Sequence, residues 1–198
     1  MERSEEILRY WFDEVGDWDF PPEREAMWFG KDPEVDAEIR RRFGTDVERA
    51  AAGLLDDWAE TPRGRLALVV LLDQFPRNIH RGKPAAFAHD GKALALAREG
   101  VARGHDRALR PIERAFFYLP FEHAESREAQ AASVRLFRAL LDEAPPEAKD
   151  RFRVFHDYAV AHQRIIDRFG RFPHRNEILG RETTPEEAAF LQQPGSSF

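Results

Sequence analysis

Two segments of this sequence combine a Phe-Pro pair with the side chains best suited to hold an anion. Residues 73–81 read DQFPRNIHR, and residues 168–181 read RFGRFPHRNEILGR. Arginine presents a planar fork of donors that matches a carboxylate or a phosphate, and asparagine adds an amide donor. The candidate ligand-binding residues are therefore Arg77, Asn78 and Arg81 from the first segment, with Arg171, His174, Arg175 and Asn176 from the second.

The same side chains also suit a purely structural role at the end of a helix. Cations near a helix C-terminus offset the helix dipole, and asparagine is a common turn residue. Arginine is also abundant throughout the chain, because only four of its 30 basic residues are lysines. At the level of sequence, ligand binding and helix termination both stay open for these segments.

A third region, residues 118–125 (YLPFEHAE), places a histidine among carboxylates. Histidine beside carboxylates can act as an acid or a base near neutral pH, so the candidate catalytic residues are His123, Glu125 and His174. The alternative is that His123 is a hydrogen-bonded structural residue. Asp73 and Gln74 close an apolar helix, and as polar groups they need partners if they are buried.

Several common chemistries are excluded by the residue types and their spacing. The chain has no cysteine, no Gly-x-Ser-x-Gly motif, no phosphate-binding glycine loop and no His-Glu-x-x-His motif. His156 and His162 are six residues apart, which places them on different faces of a helix. The sequence therefore predicts neither a bound metal nor a cofactor.

Composition limits the partners of the protein. The net charge of −6 argues against a general grip on nucleic acid, which requires many cations to neutralise phosphates. The longest apolar stretch, residues 66–72, is too short to cross a bilayer, and no apolar signal-peptide run is present at the start. We expect a cytoplasmic protein with no membrane or nucleic-acid partner. The sequence does not indicate an oligomeric state.

The elements that must position these candidates are helices. Apolar residues recur with helical periodicity, and no strand alternation is convincing. We expect about eight or nine helices in a bundle or a right-handed solenoid of helix pairs, forming one domain over residues 1–193 with a flexible tail at 194–198. The expected N-cap residues are Ser4, Asp32, Thr61 and Thr184, the last of them in a capping box with Glu187.

Prolines and glycines set the expected helix ends. The most buried helix contains residues 66–72 and should end at Pro76, while Pro120 should kink or end the helix that starts at Pro111. Phe75 and Phe172 should anchor the two Phe-Pro segments in the core. The other predicted helices span residues 84–103, 127–143 and 147–169, and a first helix should end at Gly16.

Taken together, these motifs resemble a bacterial family catalogued as domain of unknown function 924. The resemblance rests on residues 10–12 (YWF), 28–29 (WF), 71–78 (LLDQFPRN), 118–125 (YLPFEHAE), 169–176 (FGRFPHRN), 179–181 (LGR) and 184–187 (TPEE), and it covers nearly the whole chain. It implies an all-helical, tetratricopeptide-like fold and implies no activity. Ala124 stands where the family is expected to favour serine, so any role of that serine is missing here.

Three functions follow as hypotheses. The first is a module that binds a small anion or an acidic peptide terminus through the two arginine-rich segments. The second is a hydrolase that uses His123 or His174 as acid or base beside those arginines. The third is a scaffold without a small ligand. Binding requires the two segments to converge around a cleft with unpaired arginine head groups, and it fails if each arginine is tied to a carboxylate or a carbonyl of its own helix. The hydrolase further requires His123 or His174 within hydrogen-bond reach of that cleft.

Overall fold

The computed structural model describes residues 2–13 and 15–197; Met1, Glu14 and Phe198 lie outside it. Over the described ranges the chain forms helices and turns and no strand, which confirms the predicted all-α fold. The solenoid arrangement of the helices and the extent of the domain, residues 1–193, stay predictions. Counting α4 as one element, nine α-helices occupy these ranges: α1 Arg3–Phe12, α2 Pro22–Phe29, α3 Pro33–Ala51, α4 (Pro62–Val69, Val70–Gln74 and Phe75–Ile79), α5 Asp90–Ala102, α6 Pro111–His123, α7 Arg127–Glu143, α8 Lys149–Phe169 and α9 Pro185–Leu191.

Helix α4 is the central element of the core. Its residues 66–72 are apolar on every side and fully buried. The first part of α4 packs against α1, α5 and α6, while its last part packs against α3. A helix surrounded in this way has no polar face, as the sequence predicted. Within the described part of the chain, no helix is both long and apolar enough to cross a bilayer.

Pro76 does not end α4, contrary to the sequence prediction. A proline in an α-helix lacks an N–H and its ring clashes with the carbonyl four residues earlier. Here the stretch Val70–Gln74 is π-helical, and the Phe75 N–H bonds to the Val70 carbonyl five residues back. The wider turn accommodates the proline ring, so the helix continues as Phe75–Ile79. The first arginine-rich segment therefore lies largely inside a helix.

Other helix ends follow local signals with some exceptions. Asp32 and Thr61 cap their helices and Thr184 forms the predicted capping box with Glu187, which confirms those predictions. Ser4 does not cap α1; it is buried inside the helix, two residues after the actual N-cap residue Glu2. Three further predictions were wrong by position: α1 ends at Phe12, α8 begins at Lys149, and residues 84–103 split into a 3₁₀ turn, Pro84–Phe87, and α5. Of the two outcomes expected at Pro120, the helix does not end there, because α6 continues to His123.

Phe75 and Phe172 are both fully buried, as predicted, but in different places. Phe75 belongs to the main core. Phe172 forms a small second cluster with Ile165 and Ile166 at the end of α8, against which Phe169 and Phe190 pack. The second arginine-rich segment, including the 3₁₀ turn Pro173–Arg175, sits on this smaller cluster.

Gly100 in α5 is expected to be intolerant of any side chain. A Cβ at this position would collide with the ring of Phe117 and lie 2.7 Å from Arg65 Cδ. Both neighbours are fully buried and cannot move aside. We expect Gly100→Ala to lower the free energy of unfolding by about 1–3 kcal/mol in urea titrations. Gly91→Ala on the same helix is the control, because a Cβ there meets nothing within 4 Å, so its effect should be neutral or slightly stabilising.

Candidate functional site

The two arginine-rich segments converge at the start of α5. Asp90 accepts hydrogen bonds from Arg77 Nη1 and Nη2 at 2.9 and 3.0 Å, and Arg175 Nη1 lies 3.5 Å from the same carboxylate. Both guanidinium groups lie over the ring of Phe87 in cation–π contacts, at 5.7 Å from its centroid for Arg77 and 4.6 Å for Arg175. Asp90 and Phe87 thus join segments that are almost 100 residues apart in the sequence.

Four of the six arginines in these segments form two-pronged ion pairs with carboxylates, and Arg168 bonds to one oxygen of Glu186 at 2.9 and 3.0 Å. Such bidentate pairs satisfy the guanidinium fork and fix its orientation. The pairs are Arg77 with Asp90 at 2.9 and 3.0 Å, Arg81 with Asp36 at 2.7 and 2.7 Å, Arg171 with Glu187 at 2.7 and 2.8 Å, and Arg181 with Glu125 at 2.7 and 3.0 Å. These ion pairs hold each arginine-rich segment against the helix or loop that carries the partner carboxylate.

The two asparagines hydrogen-bond to members of the same ion pairs. Asn78 donates to Asp36 at 2.9 Å and thereby shares the partner of Arg81. Asn176 is fully buried; it donates to Glu187 at 3.2 Å and accepts from Arg181 at 3.0 Å. Both amides are used within the protein, so they position the segments rather than face a ligand.

Arg175 is different from the other five arginines. Its side chain is only 8% exposed, yet its contact with Asp90 is a long 3.5 Å. Its Nε is buried and has no hydrogen-bond partner among the described residues. The guanidinium is sandwiched between the rings of Phe87 and Phe172, 4.6 Å from each centroid. Burial, reinforced by repulsion from Arg77, lowers its pKa to about 10.

His123, at the C-terminal end of α6, pairs with Asp73 of the π-helical stretch. Its Nδ1 lies 2.8 and 2.9 Å from the two carboxylate oxygens of Asp73. Asp73 is fully buried; it also accepts from Gln74 at 2.6 Å and lies 3.5 Å from Arg77 Nη1. Asp73 and Gln74 are therefore both hydrogen-bonded, as buried polar side chains on an apolar helix must be.

The charges around this pair define its protonation. Burial alone would raise the pKa of Asp73, but Arg77 and His123 reverse the effect, and its pKa is lowered. Burial and Arg77 lower the pKa of His123 despite the opposing influence of Asp73. At neutral pH the pair is thus a carboxylate beside a neutral imidazole. An ionised carboxylate only accepts, so the hydrogen of His123 lies on Nδ1.

The remaining candidates, Glu125 and His174, lie around Phe172. Glu125 accepts from the Phe172 N–H at 2.8 Å as well as from Arg181, and these bonds lower its pKa although burial opposes them. The ring of His174 lies 5.6 Å from that of Phe172, and burial, with Arg175, lowers its pKa to about 4. Both carboxylate oxygens of Glu125 thus bond to the second arginine-rich segment and hold it in place.

Behind His123 lies a buried pair that the sequence analysis did not single out. His162 Nδ1 donates to the Tyr158 carbonyl at 2.8 Å and lies 3.5 Å from Glu122 Oε1. Burial, with the charge of Asp73, raises the pKa of Glu122 to about 8, and burial lowers that of His162 to about 3. At neutral pH both side chains are uncharged.

Two central residues, Asp90 and Phe87, were missed because nothing in their local sequence distinguishes them. Asp73 did carry a signal, since an aspartate on an otherwise apolar helix must find a partner. The described residues contain no group of three His, Asp or Glu side chains arranged to hold a metal ion.

Comparisons with known proteins agree on relationship but supply no activity. Residues 7–195 match the model of a family described as bacterial protein of unknown function, DUF924. A solved structure of a protein of unknown function from Agrobacterium tumefaciens is similar, with 40% identity, 96% of each chain covered and a TM-score of 0.81. No curated protein is significantly similar to the chain.

Proposed function

We propose that this chain, which belongs to the bacterial DUF924 family of unknown function, binds a small carboxylate through Arg175. The observation that carries the proposal is the incomplete pairing of Arg175. A buried guanidinium without full hydrogen bonding is costly, and a bound anion would supply what is missing. The other five arginines have no such need, because each already bonds to a carboxylate of the protein.

The local charge favours a monoanion over a phosphate dianion. Asp73 and Glu125 both act on the electrostatics of Arg175, as does Asp90. A second negative charge on the ligand would be repelled by these carboxylates. The contact from Arg175 Nη1 to Asp90 is long at 3.5 Å, so one planar carboxylate would make shorter hydrogen bonds to this guanidinium than Asp90 does. A free carboxylic acid or the C-terminus of a peptide has this chemistry.

Arg77, Asp90 and His123 are each partly exposed, whereas Asp73 and Phe172 are fully buried. Arg77, Asp73 and Asp90 influence the pKa of both Arg175 and His123. We therefore expect a ligand carboxylate to approach Arg175 from the side on which these partly exposed groups lie. Sites of this kind combine apolar walls with a few fixed polar groups.

The test is thermal unfolding with acetate, benzoate and inorganic phosphate at constant ionic strength. A carboxylate at a hundredfold excess over its dissociation constant should stabilise the wild-type protein by about 2.7 kcal/mol. We expect Arg175→Gln to abolish this stabilisation. Arg175→Lys should weaken it at least about tenfold, since lysine keeps the charge but loses the planar fork.

Arg81→Gln is the matched control. It removes the same charge from the first arginine-rich segment, at an arginine that is fully paired with Asp36. It should leave the response to carboxylates intact. A response of equal size in Arg175→Gln would refute the site, and no response of the wild type to any of the anions would favour the scaffold hypothesis. A stronger response to phosphate would contradict the charge argument.

A further inference from the structure

We infer that the Asp73–His123 pair makes this site catalytic, with His123 Nε2 as the general base that activates water to hydrolyse an ester or amide bond in a carboxylate-bearing substrate. The inference rests on the proposed binding of that carboxylate by Arg175. It also deepens the proposal, because it assigns the substrate class and the reaction.

The first support is orientation. Asp73 holds Nδ1 of His123 at 2.8 Å, and Asp73 is itself fixed by Gln74 and Arg77. With the hydrogen on Nδ1, the lone pair of the neutral ring is on Nε2. A buried carboxylate that fixes both the orientation and the tautomer of a histidine is the arrangement found in many hydrolases.

The second support is that the other ring nitrogen is not used by the protein. A histidine with a purely structural role in a buried site usually has both nitrogens bonded. His123 Nε2 makes no hydrogen bond to any residue of 2–13 or 15–197, and the side chain is 15% exposed. The lone pair is therefore accessible to water or to a ligand.

The third support identifies the attacking group. No serine or threonine within the described ranges is hydrogen-bonded to His123, and the chain contains no cysteine. Water is thus the nucleophile. His123 Nε2 removes one proton from water as the oxygen bonds to the acyl carbon. The bond from that carbon to the leaving oxygen or nitrogen then breaks, and the imidazolium returns the proton to the leaving group.

This hydrolysis consumes one water and forms a carboxylic acid with an alcohol or an amine, without oxidation or reduction. Arg175 acts at the remote carboxylate. The remote carboxylate does not change during the reaction, so Arg175 binds it equally in the ground state and in the transition state, and loss of Arg175 mainly raises KM. The roles of Arg175 and His123 are therefore separable by kinetics.

The probe is 4-acetoxybenzoate, an ester with a free carboxylate at the opposite end of the ring. Release of 4-hydroxybenzoate is followed by absorbance, and methyl 4-acetoxybenzoate is the neutral control substrate. We expect the carboxylate substrate to be preferred at least about tenfold in kcat/KM. His123→Gln should lower kcat about a hundredfold or more with KM little changed, and Arg175→Gln should mainly raise KM.

Three measurements keep the outcome decisive. Binding of 4-hydroxybenzoate by calorimetry tests the anion site alone, and His123→Gln should retain it. Circular dichroism and the unfolding midpoint confirm that the variants fold. For the wild type, kcat/KM should rise with pH through one ionisation below the ordinary histidine pKa of 6.5, and fall again as pH approaches the Arg175 pKa of about 10.

If 4-hydroxybenzoate binds but neither 4-acetoxybenzoate nor 4-acetamidobenzoate is hydrolysed, the catalytic inference is wrong and the proposed binding stands. Wild-type turnover in His123→Gln would have the same meaning. If the methyl ester is hydrolysed equally well, the inferred substrate class is wrong. If 4-hydroxybenzoate does not bind, the proposed function itself fails.

Discussion

Glu187→Ala is expected to lower the free energy of unfolding by about 3 kcal/mol, because it leaves buried partners of a carboxylate unsatisfied. Glu187 is 3% exposed and accepts from Arg171 at 2.7 and 2.8 Å. It also accepts from Asn176 and closes the capping box through the Thr184 N–H at 2.8 Å. Arg171, with these partners, lowers its pKa to about 2. One carboxylate thus holds both the second segment and the start of α9.

The neighbouring residue supplies the control. Glu186 pairs with Arg168 at 2.9 Å but is 66% exposed, so Glu186→Ala should change stability by less than about 1 kcal/mol. Chemical denaturation measures both variants, and amide hydrogen exchange should show the loss of protection in Glu187→Ala concentrated in α9. Equal effects of the two substitutions would contradict the central role of Glu187.

Glu122→Gln should stabilise the protein at neutral and alkaline pH and have little effect in acid. The pKa of Glu122 is raised from an ordinary 4.5 to about 8, chiefly by burial. Above pH 4.5 the unfolded chain releases this proton while the folded protein keeps it. The contribution of Glu122 to stability is therefore complete below pH 4.5 and lost as pH rises towards 8. At about 1.36 kcal/mol per pKa unit, the loss reaches about 3 kcal/mol at pH 7.

Glutamine has the shape of the protonated acid and cannot ionise, so it avoids this loss. The measurement is the free energy of unfolding of both proteins at pH 4.5, 6, 7 and 8. The titration of His162, whose pKa is lowered to about 3, acts on both proteins alike. Glu128→Gln, an exposed substitution on α7, should show no such trend. A stability difference that does not grow with pH would disprove the buried acid.

The helices were largely predictable because their ends are encoded locally. Asp32, Thr61 and Thr184 each cap a helix through their own side chains, and the sequence shows all three. The prediction at Pro76 was wrong because the proline rule assumes α-helical hydrogen bonding, whereas the preceding turn is π-helical. That change of hydrogen bonding depends on how α4 packs in the core, which local sequence does not express.

The candidate site was less predictable because its properties depend on distant partners. Arg77 and Arg175 stand in nearly the same Phe-Pro context, yet Asp90 gives two short bonds to the first and one long contact to the second. His123 and Asp73 were both noted in the sequence, but 50 residues separate them and nothing links them locally. Sequence patterns identify which groups can do chemistry, while only the fold decides which remain available.

The π-helical stretch Val70–Gln74 has a consequence for how this chain can change in length. It contains one more residue per turn than an α-helix would. A single π-helical turn accommodates one extra residue without rotating the helix that follows, so deleting one residue there would restore α-helical spacing and leave Phe75–Ile79 on the same faces. The same deletion elsewhere in α4 would turn everything after it by about 100° and take Arg77 away from Asp90. In alignments of related chains, we expect any single-residue gap in α4 to fall within this interval.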